Sequence, residues 1–181
     1  MGVNDLNRGT VYWLTGLSGA GKTTIGKLLY GFLHKNNNAI ILWDGDTVRD
    51  TFKEPYDLKY DYLSRKMGAF RDARTIKMIS DQGIDVVICT IALIHEVQQW
   101  NRKNIANYRE IYIECPMSVL ETRDQKHLYS RAKAGMVKDV VGVDIVPEFP
   151  ISPDLHIVND GSKSPEDIFL DLIHMLGLTN T

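Results

Sequence analysis

The sequence predicts an α/β fold of three layers: a parallel five-stranded sheet with helices on both faces, and a lid. Three observations predict it. Five short apolar runs recur along 181 residues, each nearly continuous rather than alternating, as strands buried on both faces do. Segments of helical period separate the runs, and alternating strands and helices imply a parallel sheet. Between the first run and the first helix lies Gly16-Leu17-Ser18-Gly19-Ala20-Gly21-Lys22-Thr23. It fits G-x-x-x-x-G-K-[ST], the phosphate-binding P-loop, and the strand before it and helix after it are that motif's confirming context. The predicted fold is therefore the P-loop NTPase fold.

The elements follow in order. Thr10 to Thr15, bounded by Gly9 and Gly16, reads as a buried strand. Ile25, Leu28, Leu29, Phe32 and Leu33 recur at helical spacing. Ala39 to Trp43 is a second strand ending in Asp44-Gly45-Asp46, with a short helix over 47–52 and a break at Glu54-Pro55-Tyr56-Asp57. A long charged helix spans about Lys59 to Gln82, with Gly68 as a candidate bend and Gly83 as its stop. Ile84 to Thr90 is the third strand, about His95 to Ala106 a helix, and Glu110 to Cys115 the fourth strand. Pro116 opens the next helix, where a first-turn proline is tolerated. A basic helix over Gln125–Ala134 leads into an irregular flap to Pro153, and Asp154 to Val158 is the fifth strand. Ser164-Pro165-Glu166-Asp167 supplies an N-cap, a proline and first-turn acids for a last helix to Leu176. The chain reads as one domain, residues 1–181, with residues 125–153 as the lid.

Composition narrows the class. Apolar content of 44% and charged content of 24% are ordinary for a globular protein. A net charge of -2 without a long basic run argues against a nucleic-acid or membrane partner. Cys89 and Cys115 lie in apolar runs and read as buried reduced thiols of a cytoplasmic protein. No apolar stretch reaches spanning length, and residues 1–8 read as a loose polar start without a signal-peptide core.

The motif's chemistry is phosphate binding. Its glycines let backbone N–H groups surround an anion, and the following helix adds partial positive charge. Lys22 offers a full charge to the β- and γ-phosphates of ATP, and the Thr23 hydroxyl can ligate Mg²⁺. Asp44 and Asp46 fall at the C-terminal end of the second strand, the edge at which open α/β sheets hold ligands. A carboxylate there can steady Mg²⁺ or accept the proton of an attacking hydroxyl. Arg49, one turn past Asp46, can reach an anionic substrate. Tyr60 and Tyr62 read equally well as stacking or packing residues, and His95 better as a surface histidine than as a substrate contact.

Together these residues resemble the adenylylsulfate (APS) kinases. The similar segments are Trp13 to Thr24, Asp44-Gly45-Asp46-Thr47-Val48-Arg49, Tyr112 to Pro116 with Leu120 to Asp124, Leu128 to Gly135, and Val141 to Asp144 with Pro147-Glu148 and Pro153-Asp154-Leu155. The resemblance implies ATP-dependent transfer of a phosphoryl group to the 3′-hydroxyl of a small-molecule nucleotide. It makes Asp44 the candidate base or metal organiser. It places Gly16 to Thr24 and Arg131 on ATP, and Asp46, Arg49, Arg65 and Lys138 on the acceptor. A homodimer is compatible with it.

The chain departs from the family on the acceptor side. Gly68 stands where the family usually has asparagine, and Ile91-Ala92-Leu93-Ile94-His95 where it usually has Ile-Ser-Pro-Tyr-Arg. Lys59-Tyr60 replaces a Gly-Phe, and Val140 an aromatic in the lid. A site built around buried polar contacts discriminates strongly, so losing them changes what fits. The family also contains kinases of other activated nucleotides, such as cytidine diphosphoramidate, and this is the alternative acceptor. A switch-type NTPase and an idle binding module remain as readings from other classes.

Overall fold

The structure is a computed structural model that describes residues 8–52 and 59–178. The expected break over 54–57 and nearly all of the polar start lie outside them. Five strands form one sheet: β1 (Thr10–Thr15), β2 (Ile40–Asp44), β3 (Asp85–Thr90), β4 (Asn107–Glu114) and β5 (Leu155–Val158). Their order is β2-β3-β1-β4-β5, and every neighbouring pair is parallel. The helices are α1 (Lys22–His34), α2 (Gly45–Thr51), α3 (Tyr62–Ser80), α4 (His95–Asn104), α5 (Met117–Arg123), α6 (Leu128–Lys133) and α7 (Pro165–Met175).

Alternation along β1 divides the core between the two faces of the sheet. Tyr12 and Leu14 join Ile25 and Leu29 of α1 and Ile168 and Leu172 of α7 in one buried cluster. Val11 and Trp13 join Ala73 and Ile76 of α3 and Val97 of α4 in the other. Successive strand residues point to opposite faces, so a central strand that is apolar at every position must be covered twice. That is the three-layer arrangement the sequence predicts.

β4 begins at Asn107, earlier than expected, and three other boundaries differ for a local reason. β2 runs on through Asp44, whose side chain then caps α2 by accepting from the Asp46 and Thr47 N–H groups, so α2 starts at Gly45 rather than 47. α3 begins only at Tyr62, because Asp61 is its N-cap, and it continues through Gly68 as one element. The expected single helix over 125–134 is split. Asp124, Lys126 and His127 all take positive φ, so a 3₁₀ turn at Gln125–His127 precedes α6. The Asp124 carboxylate accepts from the Tyr129 and Ser130 N–H groups, satisfying the start of α6 in place of a continuous helix.

The flap is irregular, as expected, with one isolated bridge between Val141 and Ile145. Its far half is fastened to α4. The Glu148 carboxylate accepts from the His95 N–H at 2.5 Å, Gln98 donates to the Glu148 carbonyl at 2.9 Å, and the His95 Nε2 lies 2.8 Å from the Phe149 carbonyl. Both cysteines are free and buried. Among the described residues, no helix is long and apolar enough to cross a membrane.

Candidate active site

The first turn of a helix has N–H groups without intrahelical partners. At α1 the cap is Gly21, with φ 98° and no side chain to satisfy them. A side chain at Gly21 would also collide with Asn159, whose Nδ2 lies 2.6 Å from where a Cβ would stand. The start of α1 therefore keeps its donors for an anion. The loop's carbonyls are engaged from behind. Tyr129 donates to Ser18 at 2.8 Å, Arg123 to Gly19 at 3.2 Å and Asn159 to Ala20 at 2.9 Å. Asn159 itself is held by Arg123 at 3.0 Å. These three anchors were not singled out from sequence, since a tyrosine, an arginine and an asparagine far along the chain carry no motif of their own.

Lys22 lies folded over the loop, its Nζ donating to the Leu17 carbonyl at 2.7 Å. Burial disfavours its charge and pulls its pKa down to about 8, against the opposing pull of Cys89, Asp46 and Asp44. Next to it, the Thr23 hydroxyl donates to Asp44 Oδ2 at 2.7 Å. Asp44 Oδ1 accepts from the backbone N–H groups of Asp46 and Thr47 at 3.0 and 3.1 Å. The carboxylate is therefore fixed by α2 on one side and meets the phosphate loop on the other. Asp46 is exposed and pairs with Lys126 at 3.0 Å, so it reaches across to the segment before α6.

All of this opens into one cavity of about 880 Å³ at the C-terminal edge of the sheet. Ser18, Gly19, Gly21, Lys22, Thr23 and Thr24 line one end. Gly16, Leu17 and Ala20 of the same loop do not line it, and Leu17 and Ala20 are packed in the core. Arg49 and Arg65 line it too, as do Arg131 and Lys138 from the segment over 125–153. The first two arginines share a ring: Arg49 lies 4.3 Å and Arg65 5.2 Å from the centre of Tyr60. Arg65 also donates to the Tyr60 carbonyl at 2.6 Å and the Asp139 carbonyl at 2.7 Å. Burial, and to a lesser extent the neighbouring Arg49, lower its pKa. Tyr60 thus both packs and lines the site. Of the departures noted above, Gly68, Ala92 and Ile94 line the cavity, whereas His95 does not and serves the flap instead.

A profile of adenylylsulphate kinase matches residues 8–158. The chain belongs to the adenylylsulfate kinase family. It is 40% identical over 172 residues to the cytidine diphosphoramidate kinase of Campylobacter jejuni subsp. jejuni serotype O:2, covering 95% of this chain and 99% of that one. The adenylyl-sulfate kinase of Enterobacter sp. (strain 638) is 33% identical over 172 residues, covering 94% of this chain and 84% of that one. The solved APS kinase CysC of Mycobacterium tuberculosis, in complex with AMPPNP and APS, superposes with a TM-score of 0.82 at 28% identity, over 94% of this chain and 98% of that one. The chain is thus a P-loop kinase like the adenylylsulfate kinases, a phosphotransferase of the nucleotide-acceptor type. The switch-type NTPase and the idle module give way to this.

Proposed function

We propose that this kinase transfers the γ-phosphoryl group of ATP to the 3′-hydroxyl of a 5′-activated nucleotide, with Mg²⁺. One observation carries the reading. The phosphate loop, Asp44 and the paired arginines Arg49 and Arg65 all line one cavity. An anionic 5′ group held by the arginines would turn its ribose toward the loop, which is what in-line transfer between bound partners requires.

The residues then divide the work. Gly16 to Thr24 cradle the phosphates of ATP, with Lys22 offering charge to the transferring group and Arg131 closing from the lid. Asp46, Arg49, Arg65 and Lys138 hold the acceptor. Thr23 and Asp44 present two hard oxygens side by side, and Mg²⁺ in kinases takes one or two carboxylates together with phosphates and water, so the pair fits this ion. When bound, Mg²⁺ neutralises charge on the phosphates. Asp44 has a second task open to it: its carboxylate can take the proton of the attacking 3′-hydroxyl. Free buried thiols and the use of ATP favour the cytoplasm.

For the acceptor we favour cytidine diphosphoramidate over adenylylsulfate. The support is the Campylobacter relative's 40% identity over its whole length, together with the apolar replacements Ala92 and Ile94 in the cavity wall. The test is kcat/KM for both acceptors under one set of conditions, with the product analysed for a 3′-phosphate. A higher value for cytidine diphosphoramidate is expected; a strong preference for adenylylsulfate would overturn the acceptor, and turnover of neither would overturn the reaction.

Residues 125–153 act in this reading as the lid of a single kinase domain. The Lys126–Asp46 pair is exposed on both sides, and such pairs contribute little, so the stretch before α6 is the part of this segment left to close on nucleotide. Amide exchange over residues 125–139 is expected to be faster than in β1 without nucleotide and to slow on adding ATP and acceptor. Exchange as slow as in β1 before ligand is added would show that this segment is no lid.

A further inference from the structure

Residues 65, 68, 69 and 72 follow the i, i+3, i+4, i+7 spacing that makes one stripe of a helix, and in α3 all four line the cavity. Arg65 is at the acceptor's anionic end of this stripe. Gly68 comes next, and a Cβ added there would meet nothing within 4 Å. Asp72 follows, two helical turns and about 10 Å from Arg65 along the axis. The stripe therefore offers a cation, an open floor and a carboxylate, in the order in which a nucleotide presents its 5′ group, its sugar and the edge of its base.

Asp72 is an unusual residue to find there. It is 7% exposed, and buried carboxylates are rare unless paired. Its pairing is one-sided: Arg71 Nε and Nη2 both donate to Oδ1, at 3.0 and 2.8 Å. A carboxylate has about four lone-pair sites, so these two donors leave it acceptor capacity. Burial raises the Asp72 pKa, against the opposing pull of Arg71 and of the Trp43 side chain beside it. Arg71 is steadied in turn by Phe52, whose ring centre lies 5.1 Å from the guanidinium, and its Nη1 is not used on Asp72. A carboxylate with acceptor capacity to spare thus sits beside an available donor in the cavity wall.

We infer that Asp72 and Arg71 read the acceptor's base, selecting one that carries an exocyclic amine next to a ring nitrogen. Oδ2 of Asp72 accepts from the amine, and Arg71 donates to the ring nitrogen. Cytosine and adenine both have this pattern. Uracil presents a carbonyl oxygen to the carboxylate and an N–H to the guanidinium, a mismatch at both positions. Carboxylate side chains accept from the cytosine amine in the same way when proteins read nucleic-acid bases. The inference rests on the nucleotide acceptor proposed above and names the base class of that same site.

The experiment is calorimetric titration of CDP, ADP and UDP into the protein with its ATP site saturated by AMPPNP. This reads the base without requiring turnover, so it fails separately from the reaction proposed above. Wild type is expected to bind CDP or ADP about 5- to 100-fold more tightly than UDP, and the tighter of the two identifies the amine-bearing base. Asp72→Asn can rotate its amide to donate to the uracil oxygen, so it should reduce the preference to within about 3-fold, largely by gaining UDP. Gly68→Leu improves helix propensity and fills the open floor, and should weaken all three ligands together. Equal binding of CDP, ADP and UDP by wild type would overturn the inference, and this arm stands even if Asp72→Asn does not fold. A lowered melting temperature in Asp72→Asn with the wild-type preference retained would overturn it too, because Asp72 would then serve only Arg71 and Trp43.

Discussion

Lys22→Ala is expected to abolish phosphoryl transfer while leaving the fold intact. The ammonium is the one full positive charge inside the phosphate loop, and catalysis of this type depends on electrostatic stabilisation of charge on the transferring group. Removing one preorganised donor of that kind costs about 10²- to 10³-fold in rate. The fold should tolerate the change. The lysine makes one hydrogen bond, to Leu17, and its charge is disfavoured where it lies. The depressed pKa adds a pH signature. Above about 8 the free protein loses this charge, so kcat/KM for ATP should fall above that pH, and ATP binding there should take up a proton. The stability consequence has the opposite sign. In the window between about 8 and the ordinary lysine value the unfolded chain binds more protons than the folded one, so this group makes stability rise with pH. Below the window both states carry the charge and the cost of burying it is present in full. Near-normal turnover in the mutant would remove Lys22 from the role, and a kcat/KM that stays flat to about pH 10 would show that its charge is not depressed in the free protein.

Much of this was legible in the sequence because it is carried by periodicity and by one motif. β1, with its continuous apolar run between two glycines, is placed at Thr10–Thr15 as expected, and α7 starts behind Ser164 because its cap, proline and acids are all local signals. The loss of legibility is equally specific. The segment 125–134 has the composition of a helix, and only the Asp124 carboxylate turning back on Tyr129 and Ser130 shows why its first turn is broken. Asn159 and Arg123 support the phosphate loop from β5 and α5, contacts over more than a hundred residues that no local pattern announces. Asp72 was invisible for another reason. In a charged helix one more aspartate reads as surface, and only the packing of α3 against the sheet turns it into a buried carboxylate facing the cavity.

Asp44→Asn is expected to separate binding from chemistry. Asn and Asp cap helices about equally well, so the variant can still accept from the Asp46 and Thr47 N–H groups, and α2 should keep its start at Gly45. The Oδ2 position becomes an amide N–H₂, so Thr23 loses its acceptor there and its hydroxyl must accept instead of donate. What is lost is negative charge at the point where the phosphate loop and the acceptor lobe meet. If the carboxylate takes the proton of the 3′-hydroxyl, or organises Mg²⁺, its contribution appears in the transition state and not in ground-state binding of ATP. Turnover should therefore fall by about 10²- to 10⁴-fold, while the dissociation constant for AMPPNP measured without Mg²⁺ stays within about 3-fold of wild type. Raising Mg²⁺ distinguishes the two roles: partial recovery of the rate assigns Asp44 to the metal, and no recovery assigns it to the proton. Unchanged turnover would move the function to Asp46, which pairs with Lys126, and Asp46→Asn would then be the variant that loses activity.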